Sequence, residues 1–270
     1  MGAVTLRVKD LDSMLRYYRD ALGLDVVADL GSSIILGRGS EPALIVEHSP
    51  ELKYAGSHEA GLFHTAFIFD TKEQLANAVS SLARAYPTSF TGSADHLVSE
   101  AFYFDDPEGN GVELYFDRER TSWSWQHGQV QMDTLWLDPN KYLNENATES
   151  KLVASKVGHV HLSVGNIPQA EDFYVNKLGF DVTMNFAGTA LFVSAGGYHH
   201  HMAMNIWRSR GAGPRQQTLG LGDVEIELPD SDSLGAISER LSHFGLQLRN
   251  DGQKVKVDDP WGNQVSLTLQ

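Results

Sequence analysis

The chain has 270 residues, no cysteine and a formal net charge of −14, with 41% hydrophobic and 21% charged residues. That length suits one large or two small domains, and the composition is that of a folded globular protein. The missing cysteines exclude disulfides, thiol nucleophiles and thiolate metal sites, and the acidic balance without a Lys/Arg cluster argues against nucleic acid or an anionic membrane as a partner.

The N-terminal MGAVTLRVKDLD has no charged region followed by an apolar run, and no apolar stretch reaches bilayer length, so a cytoplasmic location is expected. Residues Val4–Val26, VTLRVKDLDSMLRYYRDALGLDV, alternate as a strand, turn at Asp10 and Asp12, and continue with helical spacing that buries Met14 and Tyr17. The segment ends at Leu-Gly-Leu, where Gly23 suits a helix C-terminus in left-handed conformation. A second strand starts in FHTAFIF. Phe67 and Phe69 point to a helix, which leaves His64 on the other face. Helical spacing follows over Lys72–Ala85, then the strand AFYF, with Phe102 and Phe104 on one face and Tyr103 on the other. The turn Asp105–Asn110, DDPEGN, leads into the alternating strand Val112–Phe116, whose Glu113 and Tyr115 share the polar face. Residues 121–155 read as a connector, and their aromatic content predicts that it packs against the rest.

From Val160 to Val182 the chain repeats Val4–Val26 without gaps. Tyr18 falls on Tyr174, Leu22 on Leu178, Gly23 on Gly179 and Asp25 on Asp181. Val160, Leu162 and Val164 form the apolar face, so His159, His161 and Ser163 point the other way. After Gly196 and Gly197 come three consecutive histidines. Extending strand alternation back from Met202, Met204 and Ile206 puts His199 and His201 on one face with Asn205. A helical stretch at Leu234–Phe244 precedes Asp258–Asn263, DDPWGN, which matches the earlier turn and leads to a last strand, Val265–Leu269. His48, His58, His127 and His243 fit no pattern and are expected at the surface. The chain thus reads as an N-terminal half over 1–120, a connector over 121–155 and a C-terminal half over 156–270. It holds four strand–helix–three-strand modules at roughly 1–50, 61–118, 157–208 and 221–270.

Four βαβββ modules, the helix ends RYYRDALGLDV and DFYVNKLGFDV, the strand start GHVHLSV and the stretch DDPEGNGVELYFDR resemble the vicinal oxygen chelate superfamily, over nearly the whole chain. The longer stretches SADHLVSEAFYFDDPEGNGVELYFDR and LFVSAGGYHHHMAMNIW resemble the catechol 2,3-dioxygenase-type proteins within it. The resemblance implies an α+β fold in which modules pair into two cup-shaped sheets, with metal ligands from first and last strands. Its ligand positions fall on His64, His159 and Glu113. The equivalent positions elsewhere hold Ala3 and Ser266, with Asp223 near the place of His64. Neither half holds a full set if modules pair in chain order. If module 2 pairs with module 3, one cup receives all three residues and the cup of modules 1 and 4 receives none.

Two imidazoles and a carboxylate are the ligands of non-heme Fe(II) oxygenases, and Mn, Zn, Co or Ni tolerate the same donors. The resemblance implies one such ion per chain, Fe(II) foremost, and cleavage of a catechol-like aromatic by O2 in aromatic catabolism. A homo-oligomer is compatible with it. Tyr103, four residues before Pro107, takes the place of a tyrosine that hydrogen-bonds a substrate hydroxyl. His96, His200 and His201 are candidates for acid/base work. For His201, pocket lining or a fourth metal ligand are the alternatives, and a polar surface turn is the bland one. Two other readings stay open. A glyoxalase-type isomerase or lyase would need a second carboxylate, for which the HHHMAMN strand has none, although Glu47 and Asp223 exist elsewhere. A non-catalytic small-molecule binder would not need three retained ligand positions.

Overall fold

The computed structural model describes residues 1–251 and 254–270. Each of the four sequence modules forms one strand, one helix and three strands. Module 1 comprises β1 (Val4–Val8), α1 (Leu11–Leu15, continuing as a π-helical turn over Arg16–Ala21), β2 (Asp25–Asp29), β3 (Ser33–Arg38) and β4 (Glu41–His48). Module 2 comprises β5 (Gly61–Ile68), α2 (Lys72–Ala85), β6 (Phe90–Asp95), β7 (Ser99–Asp105) and β8 (Gly111–Asp117). The connector adds three two-residue strands, β9 (Trp125–Gln126), β10 (Gln129–Val130) and β11 (Leu135–Trp136), and the helix α3 (Pro139–Asn146). Module 3 comprises β12 (Lys156–Ser163), α4 (Ile167–Glu171, with a π-helical turn over Asp172–Lys177), β13 (Asp181–Phe186), β14 (Ala190–Ser194) and β15 (Met202–Asn205). Module 4 comprises β16 (Gly220–Leu228), α5 (Ser231–His243), β17 (Arg249–Asn250), β18 (Lys254–Asp258) and β19 (Gln264–Leu269).

The strands form two mixed sheets, in the α+β arrangement that the resemblance implies. One runs in the order β17-β18-β19-β16-β1-β4-β3-β2, from modules 4 and 1. The other runs β11-β6-β7-β8-β5-β12-β15-β14-β13, from modules 2 and 3 with a connector strand at its edge. The chain divides into two compact units. One comprises Met1–Arg7, Leu52–Phe63 and His159–Gln270; the other comprises Val8–Glu51 and His64–Gly158. No helix among the described residues is long and apolar enough to cross a membrane.

The helices begin where a short polar side chain can satisfy an otherwise unpaired N–H. Asp10 accepts from Ser13 N, Thr71 from Gln74 N, Asn166 from Gln169 N and Asp230 from Ser233 N. The sequence places α2 at its observed bounds but starts α5 three residues late, because the cap Asp230 and the Ser-Asp-Ser turn that follows carry no apolar period. The first helices of modules 1 and 3 end alike. Leu24 N bonds Tyr18 O and Phe180 N bonds Tyr174 O, while Gly23 and Gly179 take φ of 91° and 96°. That left-handed conformation costs little without a Cβ, and it turns the chain from helix to strand.

The π-helical turns carry a tyrosine to a buried aspartate. In the unit of Val8–Glu51 and His64–Gly158, Tyr18 OH donates to Asp106 Oδ2 at 2.8 Å. Asp106 also accepts from Glu108 N, Asn110 N and Asn110 Nδ2 at 2.8–2.9 Å. In the other unit, Tyr174 OH donates to Asp259 Oδ2 at 3.1 Å, and Asp259 accepts from Trp261 N, Asn263 N and Asn263 Nδ2. The repeated DDP-x-GN turn is thus held from inside by its second aspartate.

Burial pushes the Asp106 carboxyl up to about 6, against the hydrogen bonds that favour its ionised form. The folded chain therefore holds this proton more tightly than the unfolded chain does. The stability it contributes is fully present below the unfolded value and is lost as pH rises towards 6, by about 3 kcal/mol if the group acts alone. Urea unfolding of the protein and of Asp106→Asn at pH 4, 5, 6 and 7 tests this. The stability of the protein relative to the variant is expected to fall across that window, and a constant difference would contradict the shift.

Candidate metal centre

Two of the sequence-assigned ligands lie on neighbouring parallel strands of one unit. β5 pairs with β8 so that Ala66 stands opposite Glu113, and His64 Nε2 lies 3.0 Å from Glu113 Oε2. His64 and Glu113 are 5% and 3% exposed. On the other side of β8, Tyr103 is the cross-strand partner of Glu113. Burial first, then the charge and hydrogen bond of Glu113, raise the Tyr103 phenol well above its ordinary range, so it stays protonated at neutral pH.

His96 continues this group. Its Nδ1 lies 2.7 Å from the backbone carbonyl of Asp133, and its Nε2 lies 2.6 Å from Tyr103 OH. A carbonyl only accepts, so the Nδ1 carries a hydrogen, and the Nε2 faces the phenol that also bonds Glu113. The connector supplies that carbonyl. Its strand β11 pairs with β6, and Ser93 Oγ donates to Leu137 O. The expectation that the connector packs is met, with a consequence for His96 that composition alone did not show.

In the other unit, β12 presents His159, 2% exposed, and His161, 3% exposed. The His159 ring centroid is 4.1 Å from that of His200 and 6.0 Å from that of His199. The two neighbouring imidazoles meet Nδ1 to Nδ1 at 2.7 Å, which requires one to donate and the other to accept. The sequence reading put His199 on one face with His201, and adjacency in sequence gave no sign of its contact with His200.

One ligand atom each from His64, Glu113 and His159 fall within 4.8 Å of one another, and all three residues are buried. The donor set fits a divalent ion. Two imidazoles and one carboxylate, all buried, are donors that a divalent cation would accept. Adjacent donors about 2.1 Å from an ion lie roughly 3 Å apart, which is the spacing His64 and Glu113 already have. It is the one such group among the described residues.

Other expectations need correction. His199–His201 precede β15 rather than extend it, so strand alternation does not govern them; Gly196 and Gly197, with φ of 66° and 68°, redirect the chain just before. The His201 backbone still bonds both neighbouring strands, its carbonyl accepting from Val160 N at 3.1 Å and its N–H donating to Val193 O at 2.9 Å. The ring Nδ1 lies against Ser194 Oγ and Ala195 N, and His201 lines a separate apolar pocket with Leu178, Phe180 and Ile226. His161 Nε2 is held by Asn205 Nδ2 at 3.0 Å, in keeping with a lining role. In module 4, the positions matching Glu113 and His64 are bonded to each other, Ser266 Oγ donating to Asp223 Oδ2 at 2.6 Å. His48, His58, His127 and His243 are exposed as expected.

A family model described as the Glyoxalase/Bleomycin resistance protein/Dioxygenase superfamily matches residues 1–114 and 156–267. The chain is 35% identical over 269 residues to a catechol-2,3-dioxygenase of Bacillus subtilis (strain 168), covering 96% of this chain and 93% of that protein. It is 30% identical over 130 residues to biphenyl-2,3-diol 1,2-dioxygenase 3 of Rhodococcus globerulus, 46% of this chain and 68% of that one. Among solved structures, a putative dioxygenase of Bacillus subtilis aligns over 100% of this chain and 85% of its own, with a TM-score of 0.66 at 15% identity. A glyoxalase I mutant of Zea mays aligns over 100% and 93% with a TM-score of 0.60 at 16% identity. At those identities the structures bear on the fold alone.

Elemental analysis of freshly purified protein is expected to find about one divalent ion per chain. His159→Ala and Glu113→Ala should each drop the content well below that, since two donors chelate weakly, while Thr5→Ala should not. Full occupancy in His159→Ala would remove that residue from the ligand set. Gly158→Ala tests the backbone next to it. A Cβ there would lie 1.7 Å from Tyr115 OH, so Tyr115 or the strand must shift, and a loss of both thermal stability and metal content is expected.

Proposed function

The chain belongs to the glyoxalase/bleomycin resistance/dioxygenase superfamily, and on that footing we propose that it is a metal-dependent, extradiol-type dioxygenase that opens the ring of a catechol-like substrate. The observation that carries this reading is the buried group of His64, Glu113 and His159, flanked by Tyr103, His96 and His200. Its similarity over nearly the full chain to a catechol-2,3-dioxygenase supports it.

In this reading His64, His159 and Glu113 would hold Fe(II), which would supply the redox chemistry that lets O2 react with the ring. The protein's own residues orient the substrate and handle protons. With Glu113 engaged by the ion, the Tyr103 hydroxyl hydrogen would turn to His96 Nε2, leaving its oxygen to accept from a substrate hydroxyl. A proton leaving that hydroxyl has a path to Tyr103 oxygen and on to His96 Nε2, while the Asp133 carbonyl keeps the His96 ring in the right tautomer. His200, 8% exposed and braced by His199, is the group on the other side of His159 that would return a proton to the product oxygen. The metal group contains one carboxylate, which disfavours a lyase mechanism that uses a second as ligand and base.

Anaerobic loading with Fe(II), followed by oxygen-uptake and absorbance measurements with catechols, tests the proposal. One O2 consumed per ring opened is expected. Tyr103→Phe and His200→Ala should each lower kcat by roughly a hundredfold or more with metal content intact. Stoichiometrically loaded protein that consumes no O2 with any catechol would refute it.

A further inference from the structure

His96 sits on a strained hairpin tip, within the unit that holds His64–Gly158. Strands β6 and β7 are joined by His96, Leu97 and Val98, and His96 N donates to Ser99 O at 2.9 Å across the connection. Leu97 takes φ of 69°, the left-handed region that glycine, asparagine or aspartate fills at little cost. A leucine is strained there by its Cβ, and its side chain, 39% exposed, gains little from burial in return. Such a conformation persists only where its surroundings over-determine it, and it gathers at sites where geometry serves function.

Asp95 supplies the restraint. Its Oδ1 accepts from Leu97 N at 2.8 Å, which holds the left-handed turn, and its Oδ2 lies 2.6 Å from Arg118 Nη2. Arg118 closes the frame. Its backbone N–H donates to Val98 O at 2.8 Å, and its carbonyl accepts from Trp123 Nε1 at 3.0 Å. The main chain of Asp95 pairs with Leu135 of β11, just beyond the Asp133 carbonyl that meets His96 Nδ1. Asp95 thus acts on both sides of the imidazole. Its side chain fixes the turn that follows His96, and its main chain fixes the connector strand that His96 bonds. Arg118 also reaches Glu100 Oε1 at 3.1 Å, and Lys72 meets the same carboxylate at 2.8 Å. Arg118 therefore keeps an anion beside it if Asp95 is replaced.

We infer that Asp95 is a positioning residue for His96: its carboxylate holds Leu97 in the left-handed conformation that keeps the imidazole between Asp133 O and Tyr103 OH. The inference rests on reading His96 as the group that takes up a proton through Tyr103 in the proposed ring opening. A misplacement of about 1 Å in such a group costs on the order of a hundredfold in rate. A restraint on one turn therefore has leverage on kcat. It has little on the metal ligands, which lie on β5, β8 and β12. The competing role for the Asp95–Arg118 pair is that of a clamp that only stabilises the hairpin.

The experiment uses the full chain loaded with Fe(II), with metal content and melting temperature recorded for every variant. Well below the melting temperature, Asp95→Ala is expected to lower kcat by about tenfold with KM and metal content little changed. Asp95→Asn keeps an acceptor for Leu97 N and should retain most of the rate. Leu97→Gly, added to Asp95→Ala, should restore much of what was lost, because glycine takes the left-handed conformation without a clamp. In a His96→Ala background, Asp95→Ala should lower kcat no further, since both changes act through one ring. Additive losses in that background, or a lowered melting temperature with kcat unchanged, would leave Asp95 a stabilising clamp and overturn the inference. The ring nitrogen NMR signals of His96, assigned against His96→Ala, give a readout that needs no turnover. One tautomer is expected in the protein and a mixture in Asp95→Ala. That change in a protein that consumes no O2 with any catechol would support the positioning role and refute the dioxygenase reading. Unchanged ring signals in Asp95→Ala would refute the positioning role whatever the activity.

Discussion

The buried bond from tyrosine to aspartate, made once in each unit, is the constraint on which the rest of the fold hangs. Each aspartate accepts from two backbone N–H groups, an asparagine side chain and a tyrosine hydroxyl, four donors for one carboxyl group. An isolated turn would be free to slide. Held in this way, the turn fixes where the next strand begins, and Glu113 sits three residues beyond Asn110. Position along β8 decides which face a side chain takes, because a shift of one residue would turn Glu113 away from His64. The tyrosine comes from a different module than the turn it holds, so the helix of one module sets the strand register of the next. A carboxylate 5% exposed is costly to bury, and a fully satisfied one is correspondingly hard to displace.

Much of this was legible in the sequence because duplication prints the same signals twice. Gly23 and Gly179, the paired DDP-x-GN turns and the alternating strands place four modules in register, and that register singles out His64, Glu113 and His159. Alternation needs a strand, however, and the histidine triplet lies at the edge of one, so the contact between the His199 and His200 rings was not legible. The π-helical turns were also invisible, since the apolar spacing of RYYRDALGL and DFYVNKLGF suits an ordinary α-helix. The tyrosine–aspartate bonds were not legible either, because they join residues far apart in sequence. The role of the connector at His96 depends on a backbone carbonyl, to which the identity of Asp133 gives no clue.

The two copies also show how a duplicated site diverges. In module 2 the facing positions on the first and last strands hold an imidazole and a carboxylate in contact at 3.0 Å. In module 4 the matching positions hold Asp223 and Ser266, and the serine hydroxyl donates to the acid at 2.6 Å. Burial raises the Asp223 carboxyl, opposing its hydrogen bonds, so the pair is pushed towards neutrality. A hydroxyl partner removes the demand for a cation. One copy thus keeps donors that could hold an ion, and the other holds a hydroxyl and an acid bonded to each other.

The pairing of β1 with β16 bears on how the protein is made. Val4 stands opposite Val224 and Thr5 opposite Asp223. During synthesis one edge of β1 waits until module 4 has left the ribosome, about ten to forty seconds at ordinary elongation rates. For that interval VTLRV, an alternating segment with a single charge, has backbone groups exposed along that edge and can pair with other nascent chains. Yield in the cell should therefore depend on chaperone capacity and expression rate more than the equilibrium stability of the finished fold would suggest.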